Sequence, residues 1–162
     1  MRRAFTYSSI IFARREEVWA FYNTPKSLNR ISPFYARVNV ERADLPLRLD
    51  SHVIIRTVWP PHFRWHVQLV EYVPNHHFVD QLVDGPFRTW RHRHTFEPCD
   101  VGTRLTDEVD YSLPSLVDPL VRPLLNLLLR RHFARRHKRT LQYLESLQPQ
   151  RRRDWDKTTI VR

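Results

Sequence analysis

Apolar and polar positions alternate through the middle of the chain, and a three-to-four-residue spacing takes over near its end. Residues 3–12 alternate as a strand does. "REEVWAFYNT" then sets Val18, Trp19, Phe21 and Tyr22 at helical spacing, with its acids in the first turn, where the helix dipole favours them. Pro25 opens a second short helix, "PKSLNRI", and Pro33 ends it. Strand-like runs follow at about 34–41, 51–59, 62–73, 76–83, 88–97 and 103–112. The turn-forming breaks between them are "LPLRLD", "PP", "VPN", "DGPF" and "PCDVG". From Ser115 to Leu147 the residues Val117, Val121, Leu124, Leu125, Leu128, Phe133, Leu141 and Leu144 form one apolar stripe, broken around His137. This predicts a long amphipathic helix, with a bend near Pro119 and Pro123.

The element order is thus a strand, two short helices, six strands and a long helix. Consecutive antiparallel strands need a cover for their apolar face, and only the last helix is long enough to supply it. An α+β fold follows: a seven-stranded curved antiparallel sheet wrapped around a C-terminal helix. Residues 1–147 make one domain, and the basic stretch 148–162 shows neither period and reads as a flexible tail.

Within "RTWRHRHTFE", alternation sends Trp90, His92, His94 and Phe96 to one face and Arg91 and Arg93 to the other. One register across "PCDVG" sets Glu97 opposite Arg104, Arg93 opposite Glu108, and Arg91 opposite Asp110. Such pairs stabilise a sheet by ~0.2–1 kcal/mol each, and the same register sets His94 opposite Asp107. Across "DGPF", charge matching pairs Arg91 with Asp80, Trp90 with Gln81, His92 with Val79 and His94 with His77. The inner face is then apolar with a polar set of His92, His94, Asp107, Gln81 and His77. Trp65, Val67 and Leu69 extend its apolar wall. Apolar walls with a few convergent polar groups describe a small-molecule pocket.

Charge changes this picture little. The net charge of +10 over 162 residues makes a nucleic-acid-binding protein an alternative. The strand arginines have acidic partners in the register above, so no specific nucleic acid is expected. The arginine run "RRHFARRHKR" reads as a solvated helix face, with weak contact to anionic membrane as a further expectation. Cys99 is the single cysteine, so no internal disulfide forms and a cytoplasmic setting is expected. The opening "MRRAFTYSSIIFARR" has an apolar part too short and too broken for a signal peptide, and no stretch approaches the roughly 18 apolar residues of a membrane span.

The stretches "REEVWAFYNTPKSLNRISPF", "EYVPNHHFVDQLVDGPFRTWRHRHTFE" and "DEVDYSLP", followed by the helix ending in "LQYLESL", resemble the START-type, birch-pollen-allergen-like helix-grip superfamily known as SRPBCC. The resemblance is to bacterial polyketide cyclase/dehydrase-like and ligand-binding members, and "GPFRTWRHRHTFE" is its most specific part. It implies a deep cavity between sheet and helix that binds lipids, sterols, quinones or polyketides. No catalytic residues carry over, because the superfamily shares no universal triad.

The expected function is therefore binding, transport or sequestration of a hydrophobic small molecule. The expected contacts are Trp65, Val67, Gln81, Trp90, His92, His94, Asp107, Tyr111, Leu124 and Leu128. The alternative is a cyclase/dehydratase-type enzyme, with His94 as base oriented by Asp107 and Tyr111 as proton donor. His92, His94 and Asp107 also have the composition of a two-histidine, one-carboxylate metal site. A hydrogen-bonded His–Asp pair accounts for the same residues, and neither metal nor cofactor is expected.

Overall fold

The computed structural model describes residues 5–25, 27–32, 36–58, 62–113 and 118–147. The elements run β1 (Phe5–Ile11), α1 (Arg15–Tyr22), α2 (Ser27–Ile31), β2 (Val38–Ala43), β3 (His52–Thr57), β4 (Arg64–Val73), β5 (His77–Asp84), β6 (Thr89–Cys99), β7 (Gly102–Ser112) and α3 (Asp118–Leu147). The strands form one antiparallel sheet in the order β1-β7-β6-β5-β4-β3-β2. The sequence-predicted architecture and element order are those observed. The start of the predicted long helix (115–117) and the basic tail (148–162) lie outside the described residues.

Local chemistry explains several boundaries. Glu17 accepts a hydrogen bond from the Arg14 backbone N–H at 2.9 Å, which ties down the start of α1. Asp100 and Val101 turn β6 into β7, and Gly102 leaves the turn at φ 144°. A Cβ there would stand 2.3 Å from the Ile11 carbonyl oxygen, so only glycine lets β1 close against β7 at this point.

The β6–β7 register is the one read from charge: Glu97 opposite Arg104, Arg93 opposite Glu108, Arg91 opposite Asp110 and His94 opposite Asp107. The β5–β6 register differs from the expectation by one residue. Asp80 stands opposite His92, Phe78 opposite His94, and Gln81 opposite Arg91. A one-residue slip turns a whole strand over. Phe78 and Asp80 therefore face the helix, while His77 and Gln81 face away from it.

The expected pairing failed because arginine reaches farther than one strand. Arg91 and Arg93 both extend across β5 to the carboxylate of Glu71 on β4, which His77 also meets at 3.2 Å. Glu71 can sit on the outer face because β4 is irregular between Leu69 and Glu71. That bulge lets Leu69 and Tyr72 both point inward around an outward Glu71.

The inner face packs in two main clusters. One gathers Trp19, Tyr22, Phe78, Phe96, Leu105 and Leu144, with the Trp19 ring edge-on to Phe96 at 5.4 Å and to Phe78 at 5.8 Å. The other joins Phe5, Trp90, Val109, Tyr111, Leu129 and Phe133. His92, with its ring 5.2 Å from Phe133 of the second cluster, and His94, 5.7 Å from Tyr22 of the first, stand between them.

Candidate functional site

Four strands and the long helix converge on the fully buried carboxylate of Asp107. His92 and His94 come from alternate positions of β6, Asp107 from β7, Asp80 from β5, Ser9 from β1 and His137 from α3. His92 Nε2 donates to Asp107 Oδ1 at 2.8 Å, and His137 Nε2 donates to Oδ2. His94 Nδ1 lies 2.7 Å from Oδ1 but out of line for a hydrogen bond, so their approach is that of an ion pair. Ser9 Oγ stands 2.7 Å from the other ring nitrogen of His137.

The second carboxylate is held more loosely. Asp80 Oδ2 is 3.3 Å from His94 Nε2 and 3.6 Å from His92 Nδ1. Both imidazoles thus bridge the two acids, each with one nitrogen toward Asp107 and one toward Asp80.

A cavity of about 80 Å³ opens onto this group. Leu28, Leu47, Val53, Val67, Leu69 and Phe78 supply much of its apolar wall, while Asp80, His94, Arg136 and Tyr22 stand at its polar end. Arg136 is buried, its guanidinium carbon 5.8 Å from the Tyr22 ring centre, and its Nε has no hydrogen-bond partner. The Tyr22 hydroxyl reaches Thr140 Oγ1 at 3.2 Å.

The sequence model of a family described as "Polyketide cyclase / dehydrase and lipid transport" matches residues 11–136. The chain belongs to this family. No curated protein matches it. Among solved structures, the chain is similar to protein Ms6760 from Mycobacterium smegmatis, at TM-score 0.69 and 19% identity over 88% of this chain and 90% of that one. The protein TTHA0849 from Thermus thermophilus gives TM-score 0.68 and 17% identity, over 86% of this chain and 97% of that one. The di-domain ARO/CYC StfQ of the steffimycin biosynthetic pathway gives TM-score 0.72 and 12% identity; 88% of this chain matches half (50%) of that one. At these identities the likeness is one of fold.

Electrostatics within this family member follow from burial set against pairing. Burial alone would raise the Asp107 carboxyl, but the charge of His94 and the hydrogen bonds of His137 and His92 hold it well below the ordinary carboxylate range. Burial likewise opposes charge on His94, yet Asp107 and Asp80 together raise its pKa. His92 shifts the other way, pushed down by burial and by the neighbouring His94. Asp80 is lowered despite its burial, through His92 and His94. The arrangement therefore favours a proton on His94 and anionic carboxylates on either side.

Of the expected contact residues, His94 and Val67 line the cavity, and His92 and Asp107 stand behind it. The others lie elsewhere. Gln81 is exposed on the outer face, as the register requires. Leu124 and Leu128 are 58% and 50% exposed, because the inward side of α3 in this region is taken by Leu125, Leu129 and Phe133. Trp65 and Trp90 pack on Phe87 at 5.5 and 5.0 Å as part of the second core cluster and do not line this cavity. Tyr111 donates its hydroxyl proton to Asn126 Oδ1 at 2.8 Å, which removes it from the histidine group.

Sequence reasoning missed Asp80, Ser9, Arg136, Tyr22 and His137 as members of the site. For His137 a signal existed: it interrupts the apolar stripe of α3 at a position the helix nevertheless buries. A buried polar residue in such a stripe needs a partner, and a lone acid on the facing strand is the natural one.

Proposed function

We propose that the protein holds a hydrophobic small molecule of the lipid, quinone or polyketide class, with its polar end at Asp80, His94 and Arg136. The observation that carries this reading is an apolar-walled cavity closing on a buried cation whose Nε has no partner. A buried donor left unsatisfied costs about 1–3 kcal/mol, and a ligand oxygen placed there recovers that cost. The ligand's affinity then comes mainly from apolar area, and its orientation from the polar end.

Ligand sites for drug-sized molecules span roughly 300–1,000 Å³, so a cavity of about 80 Å³ must widen to take more than a headgroup or a short chain. Leu28 of α2 and Phe78 are wall residues whose rotation would widen it. Native mass spectrometry and solvent extraction of the purified protein test the reading directly. A co-purifying hydrophobic molecule is expected, and Val67→Trp or Leu69→Trp should release it without unfolding the chain. A protein that yields no such molecule and takes up no fatty acid or hydroxyaromatic probe would refute it.

A cyclase/dehydratase-type reaction is the second reading, favoured by the position of His94 between two carboxylates at the cavity's end. In it His94 exchanges a proton with the ligand, and His94→Gln abolishes turnover while binding persists. The Tyr111 hydroxyl is hydrogen-bonded to Asn126, so the reading rests on His94 and its two carboxylates.

Contact with an anionic membrane accords with a carrier. Leu120, Val121, Leu124, Leu127 and Leu128 of α3 are exposed, ahead of the basic Arg130, Arg131, Arg135 and Lys138. No described helix is long and apolar enough to cross a membrane. Co-sedimentation with phosphatidylserine vesicles that disappears at high salt is the expected result.

A further inference from the structure

The two carboxylates hold the histidines at unequal distances. On the Asp107 side the contacts with His92 and His94 are 2.8 and 2.7 Å. On the Asp80 side they open to 3.6 and 3.3 Å, the first beyond hydrogen-bond reach. Donor atoms of Asp80, His92 and His94 all lie within 4.8 Å of one another.

That spacing has a meaning in coordination chemistry. With bonds of about 2.0–2.1 Å, ligand atoms around a tetrahedral zinc-type ion stand roughly 3.3 Å apart. Two imidazoles and one carboxylate are the donor types that first-row divalent ions prefer. Metal-bound histidines also characteristically direct their second ring nitrogen to a carboxylate, which fixes the ring and raises its basicity. Asp107 stands in that relation to His92, lies 2.7 Å from His94 Nδ1 as an ion-pair partner, and is itself steadied by His137.

We propose that Asp80, His92 and His94 bind a divalent first-row transition-metal ion of the zinc class, with Asp107 as the carboxylate behind them that orients His92 and pairs with His94. The role that sequence composition offered to Asp107 thereby passes to Asp80, which the β5–β6 register turns inward. Asp80 and His94 border the cavity, so the ion keeps an open position facing it. Arg136 brings a positive charge to the same cavity, and the charges of two carboxylates offset it. The site does not depend on the proposed carrier function: the ion binds whether or not a hydrophobic ligand is present.

The experiment uses the full chain, stripped with chelator and titrated with zinc or cobalt(II). Elemental analysis should find one tightly held equivalent per chain, and cobalt should give the intense visible bands of a low-coordinate nitrogen–oxygen site. Asp80→Asn and His94→Gln should each weaken binding ~100-fold or more, and Asp107→Asn by ~10–100-fold, the effect typical of orienting carboxylates. The outward Gln81→Glu, one residue from Asp80, should leave binding unchanged. His52 with His66, and His76 with His77, are paired elsewhere, so His66→Asn and His76→Asn are included and should retain the tight equivalent. If His94→Gln fails to fold, X-ray absorption of the cobalt-loaded wild type decides the matter, with two imidazoles expected in the ligand shell. No tight equivalent, uptake unchanged in Asp80→Asn, or a shell without two imidazoles would overturn the proposal. Loss of the metal with continued retention of a hydrophobic molecule would refute the site alone and leave the carrier reading standing.

Discussion

Asp107 on β7 and His137 on α3 are hydrogen-bonded through Oδ2 and Nε2, although thirty residues separate them in sequence. The bond fastens the long helix to the sheet at a fully buried point. His137→Ala leaves one oxygen of a buried carboxylate without its donor, and a loss of roughly 1–3 kcal/mol in urea unfolding is expected. Ser9→Ala removes only the outer link, at 2.7 Å from His137, and should cost less than half as much. A Ser9 effect equal to that of His137 would contradict this ordering.

The inward turn of Asp80 is separable from the outward turn of Gln81. Gln81→Arg, on an exposed position, should change stability by no more than about 0.5 kcal/mol. Asp80→Leu should abolish the partner that His92 and His94 share and disturb the histidine ring signals in NMR spectra. If Gln81→Arg moved those signals and Asp80→Leu did not, the β5–β6 register would be wrong.

Glu71 gathers Arg91, Arg93 and His77 on the outer face. Burial works to raise its carboxyl, but the two guanidinium groups outweigh burial and lower it. A carboxylate whose folded pKa lies below its unfolded value of about 4.3 stabilises the fold above that value, and the contribution fades as pH falls through the folded pKa. Glu71→Gln should therefore lower the thermal midpoint at pH 7, by an amount that shrinks as pH falls below the unfolded value. Because the cluster is partly exposed, added salt should shrink the difference at neutral pH.

Gly102→Ala tests the closure of β1 on β7. The new methyl would meet the Ile11 carbonyl at 2.3 Å with φ at 144°, so a loss of about 1–3 kcal/mol or more is expected in chemical denaturation. Gly85→Ala, where the nearest atom is the flexible Leu82 side chain, should cost less.

These outcomes bear on what could be read from the chain. The β6–β7 register was legible because three charge pairs and an apolar–polar alternation agreed on it. The β5–β6 register was not, since the same logic assumed that Arg91 pairs with its immediate neighbour. A long side chain and the bulge in β4 let it find Glu71 two strands away. His92, His94 and Asp107 were placed correctly as a polar set within an apolar face. Asp80 was lost with the misread register, and His137 because helix periodicity shows which face is buried but not what that face will meet. Leu124 and Leu128 fit the apolar stripe of α3, yet a helix this long covers the sheet with only part of it.

The sheet order carries a consequence for how the molecule is assembled. Strands β2 through β7 pair with their neighbours in sequence, whereas β1 must wait for β7, whose partner residues lie about a hundred positions on: Phe5 meets Val109. Local hairpins close cheaply and early, and the long loop joining β1 to the far edge closes late. On a ribosome, Phe5 and Ile11 stay without their partners until β7 has emerged, and Asp107 stays without His137 until most of α3 has followed. One oxygen of the buried carboxylate thus waits until late in synthesis for its donor, and a chain cut short before His137 leaves Asp107 with only its β6 histidines as partners. Truncation at that point should yield a product that chaperones hold and proteases clear, making completion of synthesis a condition of survival.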